Sequence, residues 1–182
     1  MRLKHVALFI SITLLAGCST ISNLITTSPD VTIKTGFDGN GIAVLNFSRI
    51  GPIPNDSGKL TADKLADALF SRAKFNVIER SKVNDAQSSL ELSSTESLSA
   101  EQIQKLGQKL KANYLVLGRI HCISNNDFFK LNEDKQLNIS FRVISVSNQE
   151  LIGVANYTTD YENDLVEQIE EMITRIVAKA TE

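Results

Sequence analysis

The sequence predicts a single α/β domain with a mixed sheet of about five strands, a C-terminal antiparallel hairpin and flanking helices. In the first two thirds of the domain, nearly continuous apolar runs alternate with segments of helical periodicity. The last third changes to alternating apolar and polar residues. Strands joined through helices pair in parallel, whereas two strands joined by a tight turn form an antiparallel ribbon.

The first predicted strand is Ile42–Phe47, an apolar run that follows a turn-forming segment with three glycines in residues 36–41. A loop with two prolines covers residues 51–58. The first predicted helix covers residues 61–73, because its apolar side chains recur at helical spacing. These side chains are Ala62, Leu65, Ala66, Leu69, Phe70 and Ala73.

The middle of the chain continues the alternation of strands and helices. Phe75–Glu79 is the second predicted strand. Ser81 is the predicted N-cap of a short helix that ends in the serine-rich residues 88–97. Ser99 and Gln102 match a capping box and predict the start of a third helix.

The last three predicted strands are long and separated by polar segments. The third strand starts at Tyr114 and reaches Ile120 or Ile123. After the polar residues 124–136, Leu137–Val143 alternates as a half-buried strand does. Residues 147–150 form the predicted hairpin turn.

A strand and a helix complete the domain. Leu151–Thr159 returns as the partner strand of the hairpin, and a final helix covers about Tyr161–Lys179. Its acidic residues come early and its basic residues late, as the helix dipole favours.

The N-terminal segment predicts export. Arg2 and Lys4 precede an apolar run over residues 6–16, the pattern of a secretory signal peptide. The segment Leu15-Ala16-Gly17-Cys18 resembles the lipobox of bacterial lipoproteins, in which the peptide is cut before a lipidated cysteine. Ser19 resembles the signal that sorts enterobacterial lipoproteins to the outer membrane. The alternative is a signal peptide followed by a chance cysteine.

These observations divide the chain into three parts. We expect a lipoprotein signal peptide at residues 1–17, lipidated Cys18 with a short tether at 18–35, and the α/β domain at 36–182. No stretch after the signal peptide approaches the roughly 20 continuous apolar residues of a membrane helix. The membrane attachment is therefore expected to come from the lipid.

Charge argues against a nucleic-acid binder. The chain has 19 basic and 21 acidic residues, and cleavage before Cys18 removes Arg2 and Lys4. The mature chain then has 17 basic and 21 acidic residues, a net charge of −4. A nucleic-acid-binding domain would instead carry an excess of basic residues.

No motif predicts a catalytic, metal or cofactor site. His121 and Cys122 are adjacent in a predicted strand, so their side chains point to opposite faces, and no ligand spacing supports them as a metal site. If Cys18 is lipidated, Cys122 is a free thiol. We expect it to be buried, with an intermolecular disulfide or a reactive thiol as the alternative.

Two pairs of residues are candidate partner contacts. Glu79 and Arg80 could contact another subunit, or they could form a salt bridge that positions the next helix. Phe128 and Phe129 lie in a polar segment, where they would form a contact site if exposed or a core plug if folded back.

Four stretches together resemble a known family. They are Gly41–Phe47, Phe75–Arg80, Ala112–Gly118 and Phe141–Ile152. In this order, behind a lipobox, they resemble the curli secretion lipoprotein (CsgG-like) family. In that family's pore, each subunit contributes two long hairpins to a barrel. Here residues 124–136 are too few and too polar for one hairpin, and no insertion follows Thr159 for the other. The resemblance therefore implies a relative with the periplasmic domain alone.

Our leading prediction is a non-enzymatic outer-membrane lipoprotein that binds partner proteins in cell-envelope or surface-appendage assembly, with a homo-oligomer as one option. One alternative is an activator of a peptidoglycan synthase, that is, of a penicillin-binding protein. A second is an oligomeric secretion pore for curli subunits, and a remote fourth hypothesis is an enzyme. No cofactor is expected.

Overall fold

The computed structural model describes residues 28–92, 97–125 and 134–182. These residues form one mixed sheet of seven strands and four helices. The predicted α/β fold class is therefore confirmed, with two strands more than expected. Cys18, Phe128 and Phe129 lie outside the described residues.

Three short strands come first, one helix, a fourth strand and two more helices follow, and the last three strands are consecutive and precede the final helix. The strands are β1 (Asp30–Ile33), β2 (Asn40–Val44), β3 (Ser48–Ile50), β4 (Asn76–Val77), β5 (Tyr114–Asn125), β6 (Asp134–Ser145) and β7 (Leu151–Asp160). The helices are α1 (Ser57–Ser71), α2 (Arg80–Ser89), α3 (Ala100–Leu110) and α4 (Leu165–Ala180).

The sheet has a parallel part and an antiparallel part. Its strand order is β1-β7-β6-β5-β2-β4, and β3 pairs with β5 off this path. β2 pairs in parallel with β4 and β5, and β3 pairs in parallel with β5. The long strands β5, β6 and β7 and the edge strand β1 are antiparallel. The predicted C-terminal hairpin is β6–β7.

Helices cover the two faces of the sheet unequally. α1 and α4 pack on one face, where Leu65 and Ile173 are buried against Val116 and Ile139. α2 and α3 pack on the other face over β2 and β5, around Leu115. Among the described residues, the rest of this second face, on β6, β7 and β1, has no helix over it.

The two additional strands are short. β1 lies inside the segment predicted as the tether, and its residue Val31 is paired with Ala155 of β7. The chain thus enters the sheet at Asp30, six residues before the predicted start of the domain. β3 lies between the first predicted strand, residues 42–47, and the predicted loop over residues 51–58. It pairs with the middle of β5.

Two helices begin at residues other than the predicted ones. α1 begins at Ser57, and Thr61 lies inside it, where its hydroxyl donates a hydrogen bond to the Ser57 carbonyl at 2.7 Å. α2 is capped by Glu79 and not by Ser81. The capping box of Ser99 and Gln102 is confirmed.

One residue of the predicted apolar face of α1 is mostly exposed. Ala62, Leu65, Ala66 and Leu69 are in the core, but Phe70 is 67% exposed. Phe70 lies near the end of α1, beside the edge strand β4. Helical periodicity placed Phe70 on the same side of α1 as the core residues, but the sheet does not extend far enough to cover the Phe70 ring.

Gly107 allows α3 to approach the β6–β7 turn closely. A Cβ atom at this position would lie 2.2 Å from Cγ1 of Val146, well inside a normal carbon–carbon contact. Any larger residue would push α3 away from the sheet.

Candidate functional site

Arg80 joins three elements at the carboxyl ends of the parallel strands. Its side chain is only 12% exposed, and its Nε donates to Asp63 Oδ1 on α1 at 2.8 Å. Its two terminal nitrogens donate to the Val44 carbonyl and to Oδ1 of Asn46, directly after β2. Arg80 itself opens α2, so its contacts fix the start of that helix against α1 and β2.

Asp63 neutralises this half-buried guanidinium. The carboxylate also accepts a hydrogen bond from Lys59 Nζ at 2.7 Å. Partial burial alone would raise the pKa of Asp63, but the hydrogen bonds from Lys59 and Arg80 outweigh it and lower that pKa. The carboxylate is therefore ionised at neutral pH and compensates a cation that would be costly to bury alone.

Glu79 is the N-cap of α2. Its carboxylate accepts the backbone N–H of Ser81 at 2.9 Å and that of Lys82 at 3.3 Å. The hydrogen bond from the Ser81 side chain, followed by that from its backbone, lowers the pKa of Glu79. These contacts within the chain support the structural alternative for Glu79 and Arg80. A direct contact of either residue with a partner stays a prediction.

His121 and Cys122 are on opposite faces of β5. Cys122 is buried, 3% exposed, in the core under α1 and α4, whereas His121 is half-buried on the other face. Burial raises the pKa of the Cys122 thiol, which disfavours the reactive thiolate. In the part of the chain that the structure describes, no three potential ligands form a metal-binding group.

The uncovered part of the second sheet face is polar. We call it the open face and define it by eight side chains that alternate with core residues along β5, β6 and β7. They are Arg119, His121, Asn138, Ser140, Arg142, Val154, Asn156 and Thr158. Arg119 and Arg142 are the basic residues among the eight, and the exposed acidic residues Asp160 of β7 and Asp30 of β1 lie on the same side of the sheet.

Hydrogen bonds hold the polar side chains of the open face in place. The Asn138 side-chain amide donates to Asn156 Oδ1 at 2.7 Å and to Thr158 Oγ1 at 2.9 Å. Arg119 Nε donates to Ser140 Oγ at 3.2 Å. Arg119 and Arg142 are diagonal neighbours on adjacent strands, so their Cβ atoms are about 7–8 Å apart.

A shallow depression of about 400 Å³ lies on this face and is lined by Arg119, Ser140, Arg142, Val154 and Asn156. It is too open to enclose a small molecule. Its extended, ordered surface suits contact with another protein.

The open face was not predicted from the sequence, although the alternation of β6 contains a signal for it. Asn138, Ser140 and Arg142 are the polar positions of the alternating segment that predicted β6. Alternation shows that one face of a strand is not in the core. It does not show that the polar positions of three neighbouring strands form one surface without a helix over it.

The described residues include no helix that is both long enough and apolar enough to cross a membrane.

Comparison with known proteins identifies a family. Residues 56–152 match the family model described as "Peptidoglycan-synthase activator LpoB", which is more than half of the chain. The match begins just before α1 and ends in β7. A search of the curated proteins gives no match.

Solved structures share the fold. The PelC dodecamer from Paraburkholderia phytofirmans is 14% identical and has a TM-score of 0.57, over 83% of this chain and 94% of that chain. The C-terminal domain of LpoB from Salmonella enterica is 16% identical and has a TM-score of 0.45, over 66% of this chain and 82% of that chain.

The matched residues correct the family prediction. Three of the four stretches that suggested the CsgG-like family, at 75–80, 112–118 and 141–152, lie inside the matched region. The resemblance to the curli secretion family was therefore wrong, and curli assembly is not supported. The alternative prediction of a peptidoglycan-synthase activator agrees better with this match. The chain belongs to the LpoB family of peptidoglycan-synthase activators.

Proposed function

We propose that this chain is a lipid-anchored protein that binds a peptidoglycan synthase in the periplasm and activates it by contact, without catalysing a reaction itself. The observation that carries this proposal is the family match over residues 56–152. The matched region includes α1, α2, α3, β4, β5 and β6, and thus most of the strands that form the open face.

The lipid anchor is the first part of the proposal. Its support is the lipobox at residues 15–18, with Ser19 pointing to the outer membrane. Labelling cells with a radioactive fatty acid tests the anchor. We expect label in the wild-type protein and none in the Cys18→Ala variant; label in that variant would contradict lipidation at Cys18.

The open face is the proposed contact surface for the synthase. Its ordered polar side chains would lose little conformational entropy on binding. Arg119 and Arg142 line the depression on this face and favour an acidic patch on the partner. The penicillin-binding proteins of the same cell are therefore expected to include one with an exposed acidic surface.

Charge reversal tests the surface. Arg142→Glu should weaken binding of the purified full chain to the purified synthase by at least about tenfold, because a like charge replaces an attractive one. The matched control is Lys109→Glu on α3, which makes the same charge change at an exposed site away from the open face. Equal binding by both variants, measured by calorimetry or surface plasmon resonance, would reject the open face.

Activation is tested with the purified synthase and its lipid-linked substrate. We expect the full chain to raise the rate of glycan synthesis, and the Arg142→Glu variant to need about tenfold more protein for the same rate. Without the synthase, the chain should yield no product. Cys122→Ala, in the core on the other side of the sheet, should activate normally, because the proposal gives the thiol no chemical step.

Glu79, Arg80, Phe128 and Phe129 stay predicted partner contacts. Replacing both phenylalanines with serine tests the second pair, and weaker synthase binding with an unchanged far-UV spectrum would support it. A homo-oligomer is a second possibility, favoured only by the similarity in fold to the PelC dodecamer. Light scattering of the full chain in detergent measures its mass directly.

A further inference from the structure

A groove runs along the free edge of β4, away from the open face. It has a volume of about 530 Å³ and lies between α1 and the start of α2. β4 is the last strand of the sheet on this side, with β2 as its neighbour. Two strands, β2 and β5, separate it from the hairpin that carries most of the open face.

The backbone of β4 offers hydrogen bonds to this groove. Asn76 N–H donates to the Gly39 carbonyl at 2.9 Å, and Ile78 N–H donates to the Ile42 carbonyl at 2.8 Å. Both residues therefore face β2. Because the direction alternates along an extended chain, the N–H and C=O of Val77 point to the outer side. An extended peptide could pair with them as an added strand.

The walls of the groove supply an apolar contact. Ala66 and Phe70 from α1 lie beside Val77 and Ile78. Phe70 is 67% exposed, the largest exposed fraction among the large hydrophobic side chains that the structure describes. An exposed ring next to an unpaired strand edge fits an apolar side chain of a bound peptide.

Asn84 adds an unused acceptor. This residue lines the groove, and its Oδ1 atom is buried without a hydrogen-bond partner among the described residues. A buried acceptor without a donor is unfavourable, and rotation of the Asn84 side chain towards the groove would let a peptide N–H or a side-chain donor satisfy it.

The charged residues that line the groove favour one kind of peptide. Five charged residues line the groove, and its two cations, Lys59 and Arg80, are both bound to Asp63. The two other acidic residues, Asp67 and Glu79, are exposed. The groove therefore presents net negative charge to a ligand and favours a basic one.

We propose that this groove binds an extended segment of a partner protein, which adds to the edge of β4, places an apolar side chain against Phe70 and carries basic residues beside it. The site is separate from the open face and does not depend on the proposed function. It would allow the chain to hold a second partner, or a flexible segment of the first.

A short peptide tests the site. The probe is acetyl-Lys-Val-Trp-Val-Lys-amide, added to the full chain in detergent. Because the chain contains no tryptophan, the only indole emission comes from the probe. We expect a saturable change in emission and shifts in the amide resonances of Val77 and Asn84. An acidic analogue with glutamate in place of lysine should bind about fivefold more weakly at low salt.

Two comparisons distinguish binding at this groove from non-specific binding of the probe. Phe70→Ala should weaken binding about fivefold, through loss of an aromatic contact. The matched control Val166→Ala removes an exposed apolar side chain from α4 and should change nothing. A probe with its backbone nitrogens methylated should also bind about fivefold more weakly, because it cannot donate to Val77.

Four results would overturn the proposal. They are no saturable binding, equal binding by Phe70→Ala and Val166→Ala, equal binding of the acidic probe, and resonance shifts confined to the open face. A dimer in the absence of peptide that dissociates on Phe70→Ala substitution would assign the groove to a second copy of this chain.

Discussion

The two halves of the sheet are built differently. The half formed by β4, β2 and β5 is mostly parallel and lies between helices on both faces. The half formed by β6, β7 and β1 is antiparallel, and α4 and its neighbours cover one face only. In the first half both faces of a strand are apolar, as in Ala43 and Val44, which are both fully buried.

In the second half one face of the sheet is apolar and the other is polar. Ile139 is buried, whereas the next residue, Ser140, faces the open side. The covered half thus has little free surface beyond its β4 edge and the part of β5 that carries Arg119 and His121, and its other residues serve stability. The open half supplies a broad surface whose residues can change without loss of core packing. The predictions below test this separation of stability from binding.

The largest effect is expected in the covered half. Leu115→Ala removes a fully buried side chain between the sheet and α2 and α3 and should lower the free energy of unfolding by about 3 kcal/mol. Val154→Ala on the open face, where the side chain is 41% exposed, should cost about 0.5 kcal/mol. Urea denaturation of both variants measures the difference. Similar losses would contradict the contrast between the halves.

The Arg80 contacts should give the second-largest effect. Arg80→Met keeps the length of the side chain but leaves the Val44 carbonyl and Asn46 without their donor, and the expected loss is about 2–3 kcal/mol. Arg72→Met, at an exposed position at the end of α1, is the control and should lose less than about 0.5 kcal/mol. A small loss for Arg80→Met, with weaker partner binding, would favour the contact role instead.

The capping box of α3 predicts a smaller loss. Ser99→Ala removes the acceptor for Gln102 N–H, which lies 3.2 Å from Ser99 Oγ, and should cost about 1 kcal/mol. The Ser99→Asp variant keeps an acceptor and should restore most of the stability. Thermal unfolding followed by circular dichroism compares the three proteins, and equal midpoints would show that the cap contributes nothing.

The smallest effect is a pH dependence from Asp63. Its pKa is lowered in the folded state by Lys59 and Arg80, despite partial burial that acts in the opposite direction. The stabilisation is therefore complete above the unfolded pKa of about 3.9 and is lost as the pH falls through the lower folded value. Because Asp63 is about one-third exposed, we expect at most about 1 kcal/mol.

The Asp63→Asn variant isolates the contribution of the Asp63 charge to stability. At pH 7 the wild type should be more stable than the variant, and the difference should shrink as the pH falls below about 3.9 and the carboxylate of the folded protein is protonated. Urea denaturation at several pH values measures it. A difference that stays constant with pH would assign the effect to packing and not to charge.

Sequence patterns predicted the elements whose signal is local. The apolar face of α1 was clear from helical spacing, and Ser99 with Gln102 marked the start of α3 because the capping box involves four consecutive residues. The alternation of residues 137–143 indicated a strand with one buried face. These signals depend on neighbours in the sequence, so one chain was enough to find them.

The missed features depend on residues far apart in the chain. β1 has only four residues and is a strand because the edge of β7 pairs with it. The partners of Arg80 lie 17 to 36 positions away, so the sequence showed the residue but not its contacts. The family prediction failed for a related reason, since short strand motifs describe a fold that several lipoprotein families can share.

The position of β1 limits the length of the proposed tether between the lipid and the domain. With Cys18 in the membrane, the eleven residues 19–29 alone connect the lipid to Asp30. Even fully extended, they reach no farther than about 40 Å. β1 is also the outermost strand of the half that carries the open face. A synthase that uses this face would therefore have to bring its own docking surface to within a few nanometres of the lipid headgroups.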